Sequence, residues 1–320
     1  MNKIRVERLS SGPVVRADMV KGYGAVFNAG LLVRDGIYYL IARGVREGYL
    51  PGKVGGVRFI NYISDILVFT STDGEHYEFG YVLAKAGDNG VDCFEDPRVS
   101  VVVSSGEHIV MTFTNLFHSG FHCVGACELS WEEGRLSIVG DSLTTLGPKG
   151  VANKDAVVFN LANNRVGMLQ RLYNDVQIAV FDDLEALFKA DESYWDAYCG
   201  DIDRHVILRP SQGALGIGAG APPIDIGGAL ALFYHERQEN GTYTMNICGL
   251  DPENGRVKVV VEGPVLAPET PWEKEGDVNN VVFVQGAARR SGDVYLVYGA
   301  ADKCVGAALV DLEDLRVALV

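Results

Sequence analysis

The stretch Asn28-Ala-Gly-Leu-Leu-Val-Arg-Asp-Gly-Ile-Tyr-Tyr-Leu-Ile-Ala-Arg43 decides the fold. It opens on a polar residue, runs through an apolar strand, reverses at Asp35-Gly36 and returns as a second apolar strand that ends on a cation. Asp-Gly between two β-forming runs is a hairpin signal, because a two-residue turn of the right twist needs positive φ at both positions. The pattern recurs over 96–114 with a turn at Ser105-Gly106, over 154–171 with Asn163-Asn164, over 221–235 with Gly227-Gly228, and over 279–298 with Ser291-Gly292. The second turn residues are spaced by about 70, 58, 64 and 64 residues, the period of propeller blades and not of a solenoid. Five units of about four strands would consume the chain, so the expected fold is an all-β, five-bladed β-propeller, one domain over 1–320. Runs such as 64–74 and 176–182 supply outer strands, and helical periodicity is confined to a turn or two over 183–190. A two-sheet sandwich is the competing architecture, and the even spacing speaks against it.

Composition agrees. Of the 320 residues 48% are hydrophobic and 22% charged, enough apolar side chain for a core. Thirty-eight glycines against 11 prolines suit a chain rich in tight turns. The formal charge of −14 repels phosphate backbones and anionic lipid, so nucleic acid and membrane are not expected partners. Charges in the first eight residues stand where a signal peptide needs its apolar run, which predicts a cytoplasmic protein. Six scattered cysteines read as free thiols in a reducing compartment. Homo-oligomerisation is left open.

In a propeller the innermost strands line a central channel, so polar residues at one phase of the repeat converge on one site. Here these are Asn28; Glu95, Asp96 and Arg98; Lys154 and Asp155; and Asp277 and Asn279. Carboxylates, amides and cations together suit sugar hydroxyls and an anion.

Phe27-Asn-Ala-Gly30, Glu95-Asp-Pro-Arg98, Lys154-Asp-Ala-Val157, Gly218-Ala-Gly-Ala-Pro-Pro-Ile224 and Tyr234-His235 resemble, in order, motifs of glycoside hydrolase family 130, the β-mannoside phosphorylases and related β-mannosidases. So do Pro271-Trp-Glu273, Gly276-Asp-Val278, Asn280-Val-Val-Phe283 and Tyr298-Gly-Ala-Ala-Asp302. The resemblance implies a five-bladed propeller and inverting cleavage of β-mannosides, by phosphorolysis to α-mannose 1-phosphate. It implies no cofactor, a small carbohydrate substrate and inorganic phosphate as cosubstrate. By its motifs Asp96 is the catalytic acid, acting through the sugar's 3-hydroxyl. Asn28 and Asp302 bind sugar hydroxyls, and Phe283 gives an apolar face. Arg43, Glu95, Arg98, Asp155 and Tyr234 are further substrate-binding candidates, and Lys154, Arg171 and His235 hold the phosphate.

Two departures keep hydrolysis open as an alternative. Where the family carries an arginine ahead of Ser-x-Asp-Gly, this chain has Asp65, which could repel phosphate unless Arg43 or Arg58 restores the missing cation. Glu236 follows His235 where a glycine is usual. An inverting hydrolase needs a second carboxylate to activate water, and either residue could be it. A propeller that binds carbohydrate without chemistry is the third reading.

The stretch His118-Ser-Gly-Phe-His122-Cys123-Val-Gly-Ala-Cys127 has zinc-like ligand types, but a strand turns alternate members to opposite faces, so no metal site is expected. Gly216-Ile-Gly-Ala-Gly-Ala221 hints at a dinucleotide loop, yet Pro222-Pro223 follows where a helix should start.

Overall fold

Asp35 and Gly36 take φ of 50° and 75°, the left-handed pair that a two-residue hairpin turn requires. They join Tyr23–Arg34 to Ile37–Arg46, and Ser64–Ser71 and Glu78–Ala84 complete a four-stranded antiparallel sheet. This is the first blade of a five-bladed β-propeller in a computed structural model that describes residues 4–52 and 59–320. The second blade runs Phe94–Val103, Glu107–Leu116, His122–Glu132 and Arg135–Ile138; the third runs Lys154–Asn160, Val166–Leu172, Asp175–Phe181 and Val206–Leu208. The fourth contains Ala214–Ala219, Leu230–Gln238, Tyr243–Leu250 and Val257–Val260. The fifth contains Val282–Arg289, Asp293–Ala300 and Cys304–Asp311, and takes its outermost strand, Val6–Arg8, from the other end of the sequence. Arg8 locks that closure: it donates to both oxygens of the buried Glu273, at 2.7 and 2.9 Å.

Apolar side chains fill all five gaps between neighbouring blades. Between the first and second stand Tyr39, Ile66, Phe94 and Met111; between the second and third, Val110, Val124, Met168 and Trp195. Third and fourth share Val157, Leu169, Ile217 and Leu232, fourth and fifth share Phe233, Ile247, Val284 and Leu296, and fifth and first share Val26, Leu40, Tyr295 and Val297. Each blade buries both faces, so no blade is stable without its neighbours.

Four of the expected hairpins fall on the first two strands of a blade. The fourth differs: its inner strand starts earlier, at Ala214, and breaks at Gly220 before the short strand Ile224–Asp225 resumes pairing beside Leu230. Pro222 and Pro223 have no N–H to give the ladder, which accounts for the interruption. Helix Leu184–Phe188 lies where periodicity predicts it, capped by Asp183; Glu192–Gly200 and Leu312–Leu319 are additional. No helix among the described residues is long and apolar enough to cross a membrane, and all six cysteines are free.

Candidate active site

The site is built on bulges. In every blade the pairing of the inner strand with the second strand shifts register, between Phe27 and Ala29, Glu95 and Arg98, Lys154 and Val157, Ala214 and Gly216, and Val284 and Gly286. A bulge bends a strand and re-aims its extra residue. In the first three blades that residue is Asn28, Asp96 and Asp155, with φ of 49°, 51° and 55°. Asparagine and aspartate tolerate left-handed backbone better than other residues with a Cβ. Three consecutive inner strands thus turn a short polar side chain to one end of the channel. Asp302, also left-handed with φ 50°, joins them from the fifth blade.

Together they line a cavity of about 170 Å³ with Arg43, Glu95, Lys154, Arg171, His235 and Phe283. The cavity has two differently furnished sides. On one, Asn28 Nδ2 donates to Asp96 Oδ1 at 2.8 Å, and Arg43 bonds both Glu95 and, at 3.3 Å, the same Asp96 oxygen. Burial and the adjacent Asp96 charge push the Glu95 carboxyl above its ordinary range, against the opposing pull of Arg43. On the other side Asp155, 2% exposed, meets Arg98 at 3.0 Å through one oxygen and Arg171 at 3.2 Å through the other. Burial alone would raise the Asp155 carboxyl, but Arg171, His235, Arg98 and Lys154 outweigh it and hold it low. His235 Nε2 stands 3.6 Å from Asp155 Oδ2. Burial dominates there and holds the imidazole at about 3, so it is neutral near pH 7, and its Nδ1 is buried without a hydrogen-bond partner. Gly218 makes this packing possible, since a Cβ there would lie 2.4 Å from Asp155 Oδ2 and 2.5 Å from His235 Cε1.

Of the fourteen residues that the sequence brings to the site, ten line the cavity, and Arg98, Tyr234, Asp277 and Asn279 do not. Arg98 lies behind it, bonding Asp155 and the carbonyls of Asp96, Ala219 and Gly220. Tyr234 points the other way, into the apolar cluster with Val157, Ala219 and Leu232, because strand alternation sends it opposite to His235. The two carboxylates weighed as water-activating bases also lie elsewhere. Asp65 accepts from Arg46 at 2.7 and 2.9 Å, from Tyr23 and from the Ala86 amide; Glu236 accepts from the Ser211 amide and hydroxyl, both at 2.8 Å. Arg46 neutralises Asp65, Arg43 is the cation present in the cavity on the Asp96 side, and Arg58 lies outside the described residues. Sequence reasoning missed Tyr243, Val278 and Val281 in the lining. Val278 and Val281 carry no chemical signal, and Tyr243 comes from a third strand, off the inner-strand phase.

The model of the family described as beta-1,4-mannooligosaccharide phosphorylase, glycoside hydrolase family 130, matches residues 5–318. Among curated relatives, a 1,2-beta-oligomannan phosphorylase of Thermoanaerobacter sp. is 28% identical over 98% of this chain and 99% of its own. A beta-1,2-mannobiose phosphorylase of the same organism is 25% identical, with the same coverage. Among solved structures, beta-1,2-mannobiose phosphorylase from Listeria innocua superposes with a TM-score of 0.77 at 19% identity, covering 98% of this chain and 99% of that one, which speaks for the fold. A match from end to end, the five blades and the ordered motifs agree: the chain belongs to glycoside hydrolase family 130 and is an enzyme of that mannoside phosphorylase family.

Proposed function

We propose that the chain, as one catalytic domain over 1–320, cleaves β-1,2-linked oligomannosides by phosphorolysis with inversion, releasing α-mannose 1-phosphate and a shortened sugar. The two similar phosphorylases with β-1,2 substrates support the linkage. The observation that carries the reaction type is the division of the cavity, with Asp96 held by Asn28 and Arg43 on one side and Lys154, Arg171 and His235 on the other.

In this reading phosphate sits at the cationic side and one of its oxygens attacks the anomeric carbon from the face opposite the glycosidic oxygen. The C–O bond breaks toward Asp96, whose proton passes to the departing oxygen through the sugar's 3-hydroxyl. The carboxylate left behind faces the Asn28 amide and the Arg43 guanidinium, donors already in place where the charge forms. Phosphate needs no base to attack, whereas water would. Asp65 and Glu236 are engaged outside the cavity, which disfavours hydrolysis. The neutral His235 would serve phosphate as a hydrogen-bonding group, leaving Lys154 and Arg171 to balance its charge.

The test is to follow a β-1,2-mannotriose digest in phosphate and in a phosphate-free neutral buffer. Phosphorolysis gives α-mannose 1-phosphate in the first and no cleavage in the second. Free mannose at equal rates in both would establish hydrolysis instead.

A further inference from the structure

Beside the catalytic cavity lies a second chamber of about 600 Å³, against about 170 Å³ for the first. The two share Arg43, Glu95, Val278 and Asp302, so they adjoin on the Asp96 side of the site. Lys154, Arg171 and His235 line only the first. Inversion places the attacking and leaving groups on opposite faces of the anomeric carbon. With phosphate at the cations, the leaving sugar must extend past Glu95, which is where the second chamber begins.

Its chemistry suits a neutral polyol. Phe59 and Tyr62 stack at 4.6 Å with 17° between planes, and Phe117 and His118 lie along the rim, with Asn61 and Asp92 as polar groups. Aromatic faces with a few placed polar groups are what a carbohydrate ring requires of a pocket. The only cation described in its lining, Arg43, is engaged by Glu95 and Asp96.

The aromatic wall is tied down by Asp277. Tyr49 and Tyr62 both donate to its Oδ2, the latter at 3.2 Å, while Lys303 Nζ donates to its Oδ1 at 3.1 Å and to the Tyr49 hydroxyl at 2.7 Å. Tyr49 packs edge-on against both Phe59 and Tyr62, at 5.8 and 4.8 Å. One carboxylate from the segment ahead of the fifth blade thus fixes the first blade's aromatic side chains, without itself lining either chamber.

We propose that Asp277 is a positioning residue that sets the affinity of this chamber for the leaving side of the substrate, by holding Tyr49 and Tyr62. This rests on the phosphorolysis reading.

The test uses the full-length enzyme in the synthetic direction, where α-mannose 1-phosphate and an acceptor sugar are varied separately. In Asp277→Asn the KM for β-1,2-mannobiose as acceptor should rise about tenfold, the worth of a lost hydrogen bond to a charged group. The KM for α-mannose 1-phosphate should stay within about twofold, since that ligand touches only the first cavity. Tyr62→Phe, which keeps the ring and loses only the hydroxyl that donates to Asp277, should show the same split and decides the role of Asp277 if the first variant does not fold, while Phe117→Ala, outside the Asp277 cluster, tests the chamber by itself. Equal rises in both KM values, or an unchanged acceptor KM, overturn the proposal. A wild-type enzyme with neither synthesis nor phosphorolysis overturns the reaction assignment and this proposal with it, an outcome distinct from any variant result.

Discussion

Arg98 donates to Asp155 at 3.0 Å across two inner strands, from a side chain 1% exposed to one 2% exposed. The pair joins the bulge of the second blade to that of the third. Through Asp155 it also sets the place of Arg171, so a residue outside the cavity governs one that lines it.

Arg98→Met takes the partner from Asp155 Oδ1 but leaves Arg171 on Oδ2, so the loss should fall at the low end for a broken buried pair, about 3 kcal/mol. Urea unfolding at pH 7 measures this. Adding Asp155→Asn should recover part of the loss, since the two side chains are directly coupled. Strictly additive losses would show that the pair does not act as a unit.

Asp96→Asn should lower kcat on a β-mannooligosaccharide by about 10²–10⁴-fold, the usual contribution of a general acid. On an aryl mannoside with an acidic phenol as leaving group the deficit should shrink, because that oxygen departs without a proton. Steady-state kinetics on both substrates check it. An equal deficit on the two would assign Asp96 to binding.

Gly218→Ala should act on the phosphate side. The added Cβ would overlap Asp155 Oδ2 and His235 Cε1, at 2.4 and 2.5 Å, and must displace one of them. Misplacements of this size cost up to about 100-fold, so the KM for phosphate should rise about tenfold or more while that for the sugar moves less. Initial rates with each substrate varied in turn separate the two.

His235 gives a pH dependence with a definite sign. Its folded value of about 3 lies below the ordinary 6.5, so below neutrality the unfolded chain binds a proton that the folded chain refuses. The associated stability is present above the unfolded value and is lost as pH falls toward the folded one, by about 2 kcal/mol between pH 7 and pH 5. Denaturant unfolding of wild type and His235→Gln at the two pH values tests this, and the variant's stability should fall less.

The fold was legible because its turns are chemically explicit. Asp35-Gly36 between apolar runs specifies a hairpin by local backbone preference alone, and five such signals at even spacing count the blades. The fourth misleads by one segment because Gly216, Gly218 and Gly220 strip the inner strand of β-forming side chains, and Gly218 is there for the sake of Asp155 and His235. Helix Glu192–Gly200 escaped notice since its apolar face is aromatic, Trp195 and Tyr198, and too short to show a period.

For the site, phase within the repeat brought out Asn28, Glu95, Asp96, Lys154 and Asp155, whereas Arg43, Arg171, His235, Phe283 and Asp302 came with the family motifs. Partnerships between distant segments did not show: nothing near Asp65 announces Arg46 and the Ala86 amide as its partners, and nothing near Glu236 announces Ser211. Tyr234 and His235 are adjacent in sequence and equally polar in prospect, and only the fold tells which one faces the cavity.

The strand Val6–Arg8 pairs with Cys304–Asp311, so the ring is fastened by one segment made before all five inner strands and one made after them. Until the second has emerged, the first has no ladder partner, Arg8 has no complete pocket around Glu273, and the fifth blade cannot press Val297 and Tyr295 onto the first. Asp302 reaches the cavity from just ahead of that late strand, while Asn28 waits from near the start. A nascent chain can therefore assemble blades one after another, but it completes the cavity only once Cys304–Asp311 has been made.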